Sequence, residues 1–299
     1  MIRVSASAFD ILWADLCAGP PPGVLDVPSG GRTGAERARI REDVYANLAE
    51  RGLVPDGRLD PALTERLAVL ASAPVTVEGE FLFDLDDPHP LRAVVAARTT
   101  GRGVLAVQPQ RTIGLAAVGE GREFAEAAAV LPDVEAGPGN GVSLPSTALA
   151  AADDPVFGEV SGSRAHERQL REVLAIQARP VLAAGQFSVY RLGAGSGRRN
   201  RVGGLTWFLT DVGAYTGVTA PGADGLPWTT VAPADRERVA ARLADLARTA
   251  DTAGSDHPAS AAERGQAAGG AATGCPDAPG VAADRTTDSG IAVRPTSRG

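Results

Sequence analysis

An acidic segment in the first third of the chain holds side chains that ligate metal ions. Asp84, Asp86, Asp87 and His89 offer three carboxylates and an imidazole within six residues. A calcium loop of the helix-flanked type runs over twelve residues, with a central glycine and a terminal glutamate, and this segment has neither. The prolines on both sides of His89 are typical of a turn. We therefore expect an exposed turn and no metal site.

A glycine-rich segment in the second half has the composition of a phosphate-binding loop. The three glycines within Gly193–Gly197 are followed by Arg198 and Arg199, whereas a Walker loop requires lysine and then serine or threonine. A dinucleotide loop joins a strand to a helix, but strand-like sequence lies on both sides here. The segment is interpreted as a hairpin loop.

Its basic cluster, Arg198–Arg201, is interpreted as a solvated hairpin tip that discourages edge pairing, although it could also contact an anionic partner.

Nucleophiles and general bases are sparse. His166 has no aspartate or serine motif beside it, and the chain lacks the Gly-x-Ser-x-Gly pattern of a nucleophile elbow. Cys17 lies between apolar residues of a predicted helix, as a small buried hydrophobe does. The second cysteine, Cys275, is far away in a polar segment, so we expect no disulfide and a reducing compartment. These residues predict no catalytic constellation, no enzyme activity and no cofactor.

Composition and charge exclude several further classes. The 299 residues carry a net charge of −7, and all 29 basic residues are arginine. An acidic chain lacks the charge that binds nucleic-acid phosphates or anionic lipids. No apolar run approaches the roughly 18 residues of a membrane span, and Asp10 and Asp15 interrupt what would be the core of a signal peptide. We expect a soluble cytoplasmic protein that binds neither nucleic acid nor membrane.

Three helices are predicted before the first strand. Apolar residues of the first helix recur at the spacing of one helical face: Phe9, Leu12, Trp13 and Leu16. Ser7 is expected to cap this helix. Thr33 and Glu36 form a capping-box pattern for the second helix, and Asp60 followed by Pro61 predicts the start of the third.

Antiparallel strands follow these helices, and the pattern then recurs. The predicted strands are Pro74–Phe83, Gly103–Val107, Arg111–Val118, Gln186–Leu192, Val202–Thr210 and Tyr215–Thr219, while residues 92–98 fit a strand or a helix. Each half thus has helices, antiparallel strands and a closing helix, with Gly137–Gly141 as the linker. This order predicts an α+β fold with an antiparallel sheet. It also predicts a diverged duplication with half-repeats of about 1–136 and 142–250.

The composition changes sharply near residue 250. Residues 251–299 contain no leucine, methionine or aromatic residue, and their branched aliphatic residues are Val281, Ile291 and Val293. Such a segment buries too little apolar surface to offset its ordering entropy. We predict a folded body over residues 1–250 and a disordered tail over residues 251–299.

The strand Leu205–Leu209 is bulky on both faces. Leu205, Trp207 and Leu209 share one face, and Phe208 lies on the other. Such a strand is either central and covered on both sides, or it presents one face for docking of another protein. Sequence alone leaves these alternatives open.

The chain resembles the EspG family of type VII (ESX) secretion-associated chaperones of actinobacteria. The resemblance is carried by stretches that run in order through the first 250 residues: Phe9–Trp13, Leu25–Ser29, Arg32–Arg37, Gly185–Val189, Leu205–Phe208 with Thr210–Asp211, and Thr229–Ala234. It implies a cytosolic chaperone without enzymatic activity, which covers the apolar helical tip of PE/PPE-type substrates. The implied fold is a quasi-two-fold α+β body, with a central antiparallel sheet and helical bundles.

A chaperone of this kind needs an exposed apolar surface with a polar rim. The candidate partner-binding residues are Phe81, Phe83, Asp84, Trp207, Leu209 and Tyr215. They lie at a strand end beside the acidic turn, or on the apolar strands of the second half. The competing hypothesis is a small-molecule enzyme or binding protein with a pocket between the two halves.

Overall fold

A ten-stranded antiparallel sheet organises the chain in the computed structural model, which describes residues 1–16, 19–97, 101–147, 164–193, 198–223 and 225–255. The strands are β1 Ile2–Ser5, β2 Val75–Leu82, β3 Leu91–Ala97, β4 Gly103–Gln108, β5 Thr112–Val118, β6 Val142–Pro145, β7 Val181–Leu192, β8 Arg199–Thr210, β9 Gly213–Pro221 and β10 Pro227–Pro233. The described α-helices are α1 Ala6–Asp15, α2 Gly34–Glu50, α3 Pro61–Ser72, α4 Glu123–Ala128, α5 Arg164–Gln177 and α6 Arg236–Ser255. The predicted α+β class and antiparallel sheet are confirmed.

The strand order is the same in both halves of the sheet. Outward from the centre, one half runs β2, β3, β4, β5, β1, and the other runs β7, β8, β9, β10, β6. The halves meet where β2 and β7 pair antiparallel. Because each half places its second to fifth strands next to one another and returns its first strand to the edge, the edges are two strands of only four residues. Short edge strands protect a sheet against further pairing.

The β2–β7 junction is tightly packed, and each strand places a glycine opposite a phenylalanine of the other. Gly79 pairs with Phe187, and Phe81 pairs with Gly185. The two phenylalanine rings meet edge to face, with their centroids 4.8 Å apart. A Cβ atom on Gly185 would lie 2.6 Å from the carbonyl oxygen of Glu80 and would also overlap the Phe81 ring. The ring therefore occupies the space that a side chain at Gly185 would need.

Helices lie on both faces of the sheet. Val94 of β3 packs with α1, α2 and α3 on the first face, whereas its neighbour Val95 packs with α4 and α6 on the second face. In β8, Trp207 belongs to the second-face cluster, and Phe208 points to the first face. There Phe208 stacks on Tyr215 beside α5, with ring centroids 5.6 Å apart. The strand Leu205–Leu209 is thus central and largely covered on both sides.

Two of the three predicted helix starts are confirmed by their hydrogen bonds. The Glu36 amide donates to Thr33 Oγ1 at 3.2 Å, and the Leu63 amide donates to Asp60 Oδ1 at 2.9 Å. The prediction for the first helix was wrong, because Ser5 accepts the Ala8 amide at 3.1 Å and caps α1. Sequence patterns missed strand β1 before this cap. Four residues with two apolar side chains are too short for a clear alternation.

The last described helix continues past the predicted end of the body. α6 ends at Ser255, five residues beyond position 250. The other residues of the predicted tail, with Cys275, lie outside the described residues, as does Cys17. The side chain of His166 also lies outside the description.

We predict that Gly185→Ala destabilises the fold by about 1–3 kcal/mol, the usual cost of overpacking a tight core. The added methyl group must displace the Phe81 ring or push β7 from the backbone of β2. Gly217→Ala is the matched control in β9, since its Cβ atom would lie 4.0 Å from its nearest neighbour, Thr206 Cβ. Urea unfolding measures both variants. Equal stability of the two would contradict a tight β2–β7 junction.

Candidate protein-binding surface

A stack of aromatic rings runs from the core to the surface at the end of β2. Phe81 stacks on Phe83 with centroids 5.9 Å apart, and Phe83 meets Trp207 edge to face at 6.4 Å. Phe187 completes the stack behind Phe81. Three of these rings are buried, whereas Phe83 is 40% exposed. Since its neighbours are fixed in the core, the Phe83 ring is held in place at the surface.

Further apolar side chains lie at the same end of the central strands. Leu209 is half-buried against the same second-face cluster, and it pairs with Ala183 of β7. Leu182, next to Ala183, is 49% exposed, and Leu85, two residues after Phe83, is 45% exposed. We call Phe83, Leu85, Leu182 and Leu209 the Phe83 surface. These side chains come from neighbouring ends of β7 and β8 and from the segment after β2, and the aromatic stack lies beneath Phe83.

An acidic turn borders the Phe83 surface. Asp84 Oδ1 accepts the Asp86 amide at 2.9 Å, and Asp87 Oδ1 accepts the His89 amide at 2.9 Å. His89 Nδ1 also lies 2.8 Å from Asp87 Oδ1. The amide hydrogen bond and then the ring contact lower the pKa of the Asp87 carboxyl, which favours its charged form. Within the described ranges, no three His, Cys, Asp or Glu side chains are grouped as a metal site.

The six candidate residues separate into three groups. Phe83 and Asp84 are exposed, and Leu209 is half-buried on the same face of β8 as Trp207. Phe81 and Trp207 are buried beneath Phe83 and support it. Tyr215 is buried under α5, on the opposite face of the sheet, where its hydroxyl donates to the Pro138 carbonyl at 3.0 Å. The structure therefore does not bring Tyr215 to the surface expected from the sequence.

A buried ion pair was missed by the sequence patterns. Glu78 of β2 is 6% exposed on the first face, where it accepts the Val24 amide at 3.2 Å. Arg199 Nη1 lies 3.8 Å from Glu78 Oε1, and Arg199 also donates to the Leu70 carbonyl at the end of α3. The interpretation of Arg199 as part of a solvated hairpin tip was therefore wrong. The sequence of β2 could have indicated the burial of Glu78, since this residue lies between two buried strand positions, Val77 and Gly79.

Burial has opposite effects on the two members of this pair. It raises the pKa of Glu78, a rise that the charge of Arg199 and the amides of Val24 and Gly23 reduce. It lowers the pKa of Arg199, and the charge of Glu78 opposes that change. At 3.8 Å the pair recovers only part of the desolvation cost. The ion pair joins β2, β8, α3 and the segment before α2, and its role is structural.

A concave region lies next to the linker between the halves. Its cavity measures about 550 Å³ and is lined by residues Ala136–Gly141 together with Ala232, Pro233, Asp235 and Arg238. Its two charged side chains, Asp235 and Arg238, lie 3.7 Å apart and pair with each other. Glycine backbone and a single ion pair do not bring a nucleophile and a base together.

Side-chain hydrogen bonds near the N-terminus hold the chain together locally. Arg37 Nη1 donates to Asp10 Oδ2 at 2.8 Å, to the Gly30 carbonyl at 2.9 Å and to Ser29 Oγ at 3.2 Å. These bonds fasten the loop before α2 onto α1. The EspG family model matches residues 5–245, most of the chain, including all of these positions. The chain belongs to the EspG family.

EspG proteins are chaperones associated with ESX secretion, a family not known for enzymatic activity. The comparison with curated proteins returned no match. No helix in the described part of the chain is long and apolar enough to cross a membrane. In this EspG-family chain, the Asp10–Arg37 network is architectural, whereas the Phe83 ring is partly exposed to solvent.

We predict that the stability of the wild-type chain, relative to Glu78→Gln, falls as the pH rises. Because the folded-state pKa is raised above the unfolded value of about 4.3, both states are protonated at lower pH and the cost of burying the charge is absent. That cost grows as the pH rises through the folded pKa. Urea unfolding at pH 4 and pH 8 measures the difference. Glu80→Gln, a partly exposed carboxylate on the same strand, is the control.

A difference between wild type and Glu78→Gln that stays constant, or that grows in favour of wild type at pH 8, would contradict this sign. It would mean that attraction to Arg199 exceeds the cost of desolvating Glu78.

Proposed function

We propose that this EspG-family chain is a cytoplasmic chaperone that shields the apolar tip of a helical-hairpin, PE/PPE-type substrate and escorts it to an ESX secretion system. The proposal is carried by one observation, the exposed Phe83 ring held on a buried aromatic stack. A large aromatic side chain at the surface leaves apolar area in water, which a partner with an apolar tip would cover. Aromatic anchors of this kind supply much of the affinity of protein interfaces.

The position of the Phe83 surface supports a preformed docking site. Its residues come from β7, from β8 and from the segment directly after β2, and these three strands are paired by backbone hydrogen bonds. Pre-ordering lowers the entropy that binding costs. The substrate supplies a complementary apolar tip, and the chaperone withdraws that tip from water until secretion begins.

We further infer that the body arose by duplication, with a quasi-two-fold relation between its halves and helical bundles beside the sheet. The shared strand order of the two halves supports this relation. The sequences Gly79-Glu-Phe81 and Gly185-Gln-Phe187 also correspond, and each phenylalanine lies opposite the other glycine. The Phe83 surface lies at one end of this central junction.

We predict that Phe83→Asp weakens binding of the co-encoded helical-hairpin substrate about 30- to 1,000-fold, the range for loss of a central aromatic anchor. The fold should survive, because the ring is already 40% exposed. Leu226→Asp is the matched control, since it adds the same charge at an exposed leucine in the turn between β9 and β10. Calorimetric titration measures affinity, and circular dichroism measures melting.

Unchanged affinity of Phe83→Asp, with its melting temperature unchanged, would move the binding site elsewhere. An equal loss of affinity in Leu226→Asp would show that added charge, rather than the Phe83 surface, controls binding. If Phe83→Asp lowers the melting temperature, Phe83→Ala serves in its place, because it removes the ring without burying a charge.

A further inference from the structure

The turn beside the Phe83 surface carries three carboxylates, and their negative charge is larger than the positive charge around them. Asp84, Asp86 and Asp87 are all exposed, and Asp87 has His89 as its neighbour. The ion pairs of arginine found among the described residues do not include any of these three carboxylates. The surface is therefore apolar at its centre and negatively charged along one side.

The arginines at this end of the sheet are already paired with other carboxylates. Arg92, which follows the acidic turn in β3, lies 3.4 Å from Glu80. Arg179, which precedes β7, lies 3.2 Å from Asp211 in the turn after β8. Both side chains are thus engaged by acids of their own. The carboxylates of the turn therefore face solvent without an arginine partner among the described residues.

We propose that the partner of the Phe83 surface carries basic side chains beside its apolar tip, placed to meet Asp84, Asp86 and Asp87. This inference rests on the proposed function, since it describes the occupant of the same surface. It commits to a helical hairpin whose apolar tip is flanked by arginine or lysine. The apolar contact supplies affinity, and the charges orient the hairpin as it approaches.

The physics of exposed charge determines what these carboxylates do. Rim charges change the association rate and its dependence on salt more than they change the dissociation rate. Their field reaches about 30 Å at 0.01 M salt but only about 3 Å at 1 M. A neutral or acidic tip would gain nothing from the turn, or would be repelled by it.

The experiment compares wild type with Asp84→Asn/Asp86→Asn/Asp87→Asn. The matched control is Glu42→Gln/Asp43→Asn/Glu50→Gln, which removes the same charge from exposed positions of α2, a helix of the first face. Association and dissociation rates with the co-encoded helical-hairpin substrate are measured at 20 mM and at 1 M sodium chloride. Circular dichroism confirms that all three proteins are folded.

We expect the turn variant to associate about tenfold more slowly than wild type at 20 mM salt, with the difference lost at 1 M. The control variant should lose much less at 20 mM. Equal losses in the two variants would overturn the inference, because net charge alone would explain them. Unchanged or faster association of the turn variant would also overturn it.

The two proposals fail in different ways. If Phe83→Asp abolishes binding while the turn variant associates like wild type, the surface is correct and its basic partner is wrong. If wild type does not bind the helical hairpin at either salt concentration, the proposed function and this inference both fail.

Discussion

The pairing of β2 with β7 is the contact on which the rest of the structure depends. It joins two five-stranded halves into one sheet, and it requires glycine at positions 79 and 185 so that Phe81 and Phe187 can share the space between the strands. The Phe81 ring occupies the space beside both glycines, and Phe187 Cδ1 would lie 3.2 Å from a Cβ atom on Gly79. Without this fit, the two halves would each present an unpaired edge to solvent.

The same junction underlies both the buried ion pair and the exposed aromatic ring of the central strands. On the first face, Glu78 and Arg199 are buried and tie α3 and the segment before α2 to the sheet. On the second face, the aromatic stack continues from Phe187 through Phe81 and emerges at Phe83. The Phe83 ring therefore contacts the buried Phe81 ring on one side and solvent on the other.

Local patterns predicted much of the fold. Helix starts at Thr33 and Asp60, the alternation in β8 and the α+β class follow from short-range rules and agree with the structure. Strand β1 was missed because its four residues form a strand only through pairing with β5. The burial of Arg199 was missed for a related reason, since its partner Glu78 lies about 120 positions earlier in the chain. Long-range partners have no local signature.

The exposure of the candidate residues could be predicted for some of them and not for others. Phe83 and Asp84 stand at a strand end before a turn, which exposes side chains in most sheets, and both are exposed. Trp207 and Tyr215 lie in the middle of strands, and helices on the two faces cover them. Alternation assigns side chains to opposite faces of a strand, but it does not say which face a helix will cover.

Hydrogen–deuterium exchange of the chain, alone and in complex with its helical-hairpin substrate, tests the central claim most directly. The account predicts slower exchange on binding at residues 83–90, with little change at residues 136–141 beside the cavity. Slower exchange confined to residues 136–141, or to the first face around α5, would contradict the assignment of the Phe83 surface as the docking site.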